Sequence, residues 1–301
     1  MKLGRPLSLR LTLGPLRHGR ADPCMRIARS TCLRASRTPL GPVTMMIEHA
    51  GTELSCRAWG LGAEWAIENL EMLVGEHQSD GDFATDNSVV RQLHRRQAGL
   101  RVPRGGAVFE ALLPAIIEQR VTGMEAKRSY VAIVRHFGQA APGPFSESGL
   151  RLAPSAETMT RTPSWMFHRY GVERKRADAI RSAARVAHRL EEATTMDPTT
   201  ARQRLTAVSG VGPWTAAEVA FGALGDPDAV SVGDYHHPNH VAWALAGEPR
   251  ADDRRMLELL EPYRGQRGRV LRLIVTGHPQ APKYGPRYSP HQARSGASPS
   301  S

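Results

Sequence analysis

The chain has 301 residues, 41% hydrophobic and 23% charged, a balance that excludes a disordered or fibrous protein and allows one large core or two modest ones without covalent staples. Only three cysteines occur, Cys24, Cys32 and Cys56, an odd number without close spacing, so neither a disulfide framework nor a four-cysteine zinc or iron–sulfur cluster can be built within one chain, and a reducing cytoplasm fits. The net charge of +11 sits at the ends: residues 1–40 hold nine Lys/Arg against one acid, residues 281–301 add three bases and no acid, and the middle balances 28 against 28, so charge alone speaks equally for nucleic-acid contact and for solvated ends.

In chain order, residues 7–13 alternate Leu7, Leu9, Leu11 and Leu13 with other residues, which predicts a strand and argues against an organelle presequence or a signal-peptide core. A polar, arginine-rich stretch follows. Two apolar runs at 43–48 and 54–59 then meet across His49-Ala50-Gly51-Thr52 and predict a small antiparallel sheet. From Ala63 the period changes to that of a helix, with Trp65, Ile67, Leu70 and Leu73 on one face, and Val89, Val90, Leu93 and Leu100 suggest another before the break at 103–106. Helices are expected at 107–122, kinked by Pro114, and at 124–137, 173–192, 197–208, 213–224, 236–246, 252–260 and 266–276. Asp197-Pro198 and Pro213 supply start signals, and Gly138 and Gly225 supply stops. No run approaches ~18 apolar residues, so no membrane segment is expected. Residues 279–301, rich in Pro, Ser, Gly and Arg, predict a disordered basic tail.

The informative segment runs from Leu205 to Ala216 through Ser209-Gly210-Val211-Gly212-Pro213-Trp214. One helix ends and another opens across two glycines, a tight corner whose free amides and positive dipole end suit a phosphate. The glycines follow a helix and lack a third partner, against a dinucleotide fingerprint, and there is no Gly-Lys-Ser/Thr of a P-loop. A plain helix–turn–helix connection would explain the glycines alone. The next segment, Val232-Gly233-Asp234-Tyr235-His236, adds an acid just before a further helix. Asp234 could equally serve as that helix's N-cap. His236, His237 and His240 include an i,i+4 pair, but Pro238 intervenes and no further ligand cluster is near, which argues against a metal site.

Here the sequence resembles the helix-hairpin-helix DNA glycosylases, most closely the bacterial 3-methyladenine DNA glycosylase II group, in which such a hairpin is followed about twenty residues later by an Asp beside an aromatic. The resemblance spans residues 105–276 and includes Phe109-Glu110-x-Leu112, Ile116 to Thr122, Gly171-Val172 and Glu261-Pro262-Tyr263-Arg264. It implies an α+β chain: a β-rich domain at 1–62, an all-α, two-lobed core at 63–278 with the hairpin at 205–216, and the tail at 279–301. It implies Asp234 as the catalytic carboxylate, Trp214, Tyr235, Tyr263 and Glu218 at the substrate pocket, and Gly210, Val211, Gly212, Gln119, Arg120 and Arg264 at the DNA. Carbonyls of Thr206, Val208 and Val211 would hold a monovalent cation, sodium or potassium. No cofactor is implied for catalysis, and the partner is double-stranded DNA containing damaged bases, acted on by a cytoplasmic, nucleoid-associated monomer. Arg120 departs from the apolar wedge usual there, and Glu218 stands where a close relative has an aromatic.

The chemistry fits these residue types. An extruded, positively charged alkylated base, 3-methyladenine for instance, would be met by aromatic faces and is a good leaving group, so a single carboxylate suffices to stabilise the oxocarbenium-like sugar and orient water. Lyase relatives carry a lysine two residues after the second glycine. Trp214 stands there, and no Lys lies between Lys175 and Lys283. Three alternatives stay open at this point: a non-catalytic DNA-binding module, a bifunctional glycosylase/lyase, and a small-molecule hydrolase.

Overall fold

The computed structural model describes residues 1–78, 85–145 and 147–282. The alternating leucines of residues 7–13 do not form a strand: the chain coils into α1 (Leu9–Leu13). Ser8 decides this, because its hydroxyl accepts the Leu11 amide as an N-cap, and Leu9 and Leu13, four apart, then share one buried face. A four-stranded antiparallel meander follows in chain order, β1 (Met25–Ile27), β2 (Thr31–Thr38), β3 (Gly41–Ala50) and β4 (Glu53–Trp59). The last two are the predicted apolar runs, with Ile47 opposite Cys56 and the reversal at Gly51, where φ is +61°. Strands β1 and β2 arise from the stretch read only as polar and arginine-rich. Their pattern is masked because β2 buries Arg34 and Ser36, and both donate to the Glu110 carboxylate of a later helix, at 3.1 and 2.8 Å.

The sheet face carrying Met25, Cys32, Val43, Ile47 and Leu54 packs on Leu9 and Leu13 and on Ala66, Leu70 and Leu73, which belong to α2 (Ala63–Glu68) and α3 (Leu70–Leu73). After α4 (Ser88–Arg96) comes α5 (Val108–Ile117), with eight of its ten residues buried, the mark of a central helix. It stops at Ile117, short of the expected 122. Arg120 adopts a left-handed φ of +55°, and Thr122 opens α6 (Gly123–Phe137) through a reciprocal capping box with Glu125.

A two-stranded ribbon, β5 (Gln139–Ala140) with β6 (Arg151–Leu152), and two short helices, α7 (Ala156–Arg161) and α8 (Ser164–Phe167), were not legible in the sequence. The expected helix at 173–192 breaks at Val186 into α9 (Arg174–Arg185) and α10 (Ala187–Glu191). Next come α11 (Pro198–Thr206), capped by Asp197, and α12 (Pro213–Val219), which runs on as a π-helical turn to Leu224 and ends at left-handed Gly225. The last helices, α13 (His237–Ala246), α14 (Asp253–Leu260) and α15 (Arg267–Gly277), fall where the periodicity puts them.

Two helical cores result. One joins α5, α6 and α9 with the hairpin residues Leu205, Val208 and Val211. The other joins α4 to α13, α14 and α15 through Leu93, Val241, Leu260 and Ile274. Between them Ala217, Ala220, Phe221 and Ala229 pack with Val102, so α12 and the loop after it run from one lobe to the other. No described helix is long and apolar enough to cross a membrane. The predicted tail lies, from residue 283 onward, outside the described residues.

Candidate active site

The hairpin between α11 and α12 is fixed from three sides. Val208 and Val211 are buried in the first helical core, and the Val211 amide donates to the Val208 carbonyl at 3.0 Å. Gly210 has φ +86° and lies so close to α9 that a Cβ would come within 2.5 Å of the Ala179 Cβ, so this position requires glycine. Gly212 is different: its φ is −94° and a Cβ there would meet nothing within 4 Å, leaving that side open to a ligand. Gln119, expected at the DNA, makes its contacts within the protein. Its amide donates to the Gly210 carbonyl at 2.9 Å and to Thr215 Oγ1 at 2.8 Å, tying the end of α5 to the hairpin. The adjacent Arg120 is exposed on the strained, left-handed turn, held in place by that strut and by the Thr122 cap.

Asp234 follows Gly233, whose φ of +92° turns the chain and whose amide donates to Asp253 Oδ2 at 3.0 Å. One Asp234 oxygen, Oδ1, accepts the amides of His236 and His237 at 2.7 and 2.9 Å. The other, Oδ2, accepts the Trp214 indole N–H at 3.2 Å and stands 3.8 Å from His237 Nδ1. Capping the helix therefore occupies Oδ1 alone and leaves Oδ2 with the Trp214 indole. Burial works against the charge, yet His237, the two amides and the indole outweigh it and hold the carboxyl below its usual range. The arrangement presents one oriented, ionised carboxylate beside the hairpin.

Of the three predicted aromatics, Trp214 contacts it through a side-chain hydrogen bond. Trp214 orients Asp234 through its N–H, and no stacking wall is needed to explain its position. Tyr235 is 85% exposed, its ring edge-on to His236. Tyr263 sits in a 3-10 turn against the second helical core, its hydroxyl 3.3 Å from Thr85 Oγ1. Arg264, expected at the DNA, is held by Glu261, with Nε 2.8 Å from Oε1. Glu218 faces inward, one turn along α12 from Trp214. It binds Arg272 of α15 through both carboxylate oxygens, at 2.8 and 2.7 Å, and accepts from the Ser231 hydroxyl. Burial opposes its charge, but Arg272 and Ser231 keep it ionised, its carboxyl below the usual range. One member of this cluster, Arg272, was missed in the sequence, and His237 was read there only among the histidines weighed against a metal site. Arg272 is brought in only by tertiary folding.

No family model and no curated protein matches the sequence. Solved structures do match. A 3-methyladenine DNA glycosylase from Archaeoglobus fulgidus superposes with a TM-score of 0.76 at 20% identity, covering 91% of this chain and 96% of that one. An 8-oxoguanine glycosylase/lyase from Clostridium acetobutylicum gives 0.68 at 13% identity over 90% and 93% of the two chains. A 3-methyladenine DNA glycosylase from Schizosaccharomyces pombe, in complex with abasic DNA, gives 0.53 at 16% identity over 67% and 97%. The fold is thus that of the helix-hairpin-helix DNA glycosylases, an α+β architecture with the small antiparallel sheet leading into the helices.

Proposed function

We propose that the chain is a monofunctional DNA N-glycosylase that removes damaged bases from double-stranded DNA, acting as a cytoplasmic, nucleoid-associated monomer in base excision repair. The carrying observation is the Asp234 carboxylate, held ionised at the hairpin with Trp214 as its donor. Gly212, Val211 and Gly210 would present the hairpin backbone to a phosphate, and Arg120 would fill the gap that the extruded base leaves. The Thr206, Val208 and Val211 carbonyls would hold a sodium or potassium ion that orders the hairpin.

In the reaction the bond from the sugar C1′ to the base nitrogen breaks with its electron pair going to the base. Asp234 stabilises the positive charge left on the sugar, water adds at C1′, and the water's proton ends on the released base or in solvent. A Schiff base needs an amine, and Trp214 stands in that place. The expectation of alkylated substrates such as 3-methyladenine drew on three aromatic walls, of which Tyr235 points to solvent and Tyr263 packs against the second helical core with its hydroxyl at Thr85. Chromatography of free bases released from methylated, oxidised and deaminated DNA tests the reading; DNA bound with no base released would support the binding-module alternative.

A further inference from the structure

The loop that carries Asp234 is tied to α12 twice. Asp234 Oδ2 accepts the Trp214 indole N–H at 3.2 Å, and Ser231, three residues earlier, donates its hydroxyl to Glu218, one turn along the helix from Trp214. Arg272 of α15 closes Glu218 in turn, reaching both of its oxygens at 2.8 and 2.7 Å, and both side chains are largely buried. His237 faces this pair and Asp234 alike. Its side chain is 12% exposed and its Nδ1 lies 3.8 Å from Asp234 Oδ2, too far for a hydrogen bond and close enough for a strong charge interaction. Among the described residues that buried nitrogen has no hydrogen-bond partner, and an unsatisfied polar atom beside a reactive carboxylate calls for a reason.

The charges around His237 come from every side. Asp234 on the loop and Glu218 on α12 face it with negative charge, Arg272 on α15 and His236 at the turn into α13 with positive charge. His240, one turn further along α13, shares this environment, and His278 beyond α15 acts on it. Asp253 of α14 is engaged by the Gly233 amide, and α4 contributes the apolar Val90 and Leu93 to the core that α13 joins. Burial is the largest influence on His237 and favours the neutral imidazole. An unpaired Glu218 would oppose it by drawing a proton onto the ring; Arg272 cancels that pull.

Resting on the glycosylase reading above, we propose that Glu218 and Arg272 are positioning residues that act on Asp234 through His237: their closed pair leaves the imidazole neutral, so that Asp234 keeps an uncompensated negative charge for the sugar, and a proton on His237 switches the site off. The catalytic worth of Asp234 is its interaction with the positive charge that the broken bond leaves on the sugar. An imidazolium 3.8 Å from Oδ2 carries the same sign as the sugar and competes for the same oxygen. The proton exchanges with solvent, so the switch is reversible and consumes nothing.

The test follows single-turnover release by saturating full-length protein, from a duplex on which it acts, between pH ~8 and ~4.5, a range that spans the histidine titration. Nitrogen NMR of the His237 imidazole runs in parallel. Native release should fall at least ~10-fold across the range as the imidazole takes up its proton. His237→Gln, which cannot carry the charge, should hold its rate within ~3-fold. Glu218→Gln keeps an oxygen for Ser231 and leaves the Arg272 charge unopposed, so the midpoints of the rate profile and of the imidazole titration should both move to lower pH. Combining Glu218→Gln with Arg272→Met gives a neutral pair and should bring both midpoints back to the native position. If Glu218→Gln does not fold, the His237→Gln comparison stands by itself. A brace with no electrostatic role leaves the midpoints unmoved in both variants; that result, or a fall in rate that persists in His237→Gln, overturns the inference and leaves the glycosylase reading standing. Release of no base from any duplex that the protein binds overturns the glycosylase reading and this inference with it.

Discussion

Replacing Asp234 by Asn separates its helix-capping role from the catalytic one proposed for it, because the cap uses one oxygen and leaves the other free of it. The amide oxygen of Asn retains the hydrogen bonds from the His236 and His237 amides, which Oδ1 accepts in the native chain at 2.7 and 2.9 Å. The amide nitrogen replaces Oδ2 and sets an N–H against the Trp214 indole N–H, which now donates over 3.2 Å. One hydrogen bond to a charged group is lost, worth about 1.5–3 kcal/mol, so Tm should fall by no more than about 10 °C. Turnover should fall far more. Removing one preorganised group that meets charge developing in the transition state costs ~10²–10³-fold, about 2.7–4 kcal/mol, while ground-state DNA affinity stays within ~3-fold because that charge does not yet exist. Single-turnover base release and fluorescence anisotropy on the same duplex measure both quantities. A variant that releases base within ~3-fold of the native rate, or that loses binding in step with turnover, refutes the reasoning.

The two hairpin glycines should behave oppositely: Gly210→Ala, at φ +86° with its Cβ 2.5 Å from Ala179, should lower stability by about 1–3 kcal/mol in thermal melts. Gly212→Leu, with open space around its Cβ, should melt like the native protein but bind all duplex sequences more weakly, and the native affinity should fall with salt. Arg120→Ala should slow release from stably paired lesions more than from mismatched ones, and Arg120→Gly, which relieves the left-handed strain at φ +55°, should be more stable than Arg120→Ala and equally slow. Burial holds His237 below its ordinary value despite the Asp234 and Glu218 carboxylates, so below pH ~6.5 the unfolded chain binds the extra proton. Stability should be full above that pH and decline as pH falls toward the lowered value. His237→Gln should flatten part of the fall in Tm between pH 7.5 and 5.5; the remainder reflects His240 and His77, which burial shifts the same way.

The hairpin and Asp234 were legible because their signals are local: two glycines, a helix-starting proline, and an acid after a third glycine. The later helices were legible for the same reason, each having caps and a 3.6-residue period. Residues 7–13 misled because alternation over so few positions fits a strand as well as a short helix, and only the Ser8 cap distinguishes them. Strands β1 and β2 were hidden since Arg34 and Ser36 count as polar until Glu110, 76 and 74 positions away, is known to receive them. The family resemblance named Tyr235 as a pocket aromatic, but burial is a tertiary property, and this ring points to solvent. Glu218 was noticed, yet its meaning rests on Arg272, 54 residues on.

The central claim is that water, and no amine of the protein, attacks the sugar after Asp234 has stabilised it. The most direct test incubates the protein with a duplex from which it releases a base, with and without borohydride, and resolves the strands. The account predicts an intact strand that breaks only after alkali or heat, free base in equal amount, and no covalent protein–DNA adduct. An adduct formed efficiently under borohydride, or a strand cut without alkali, would contradict it.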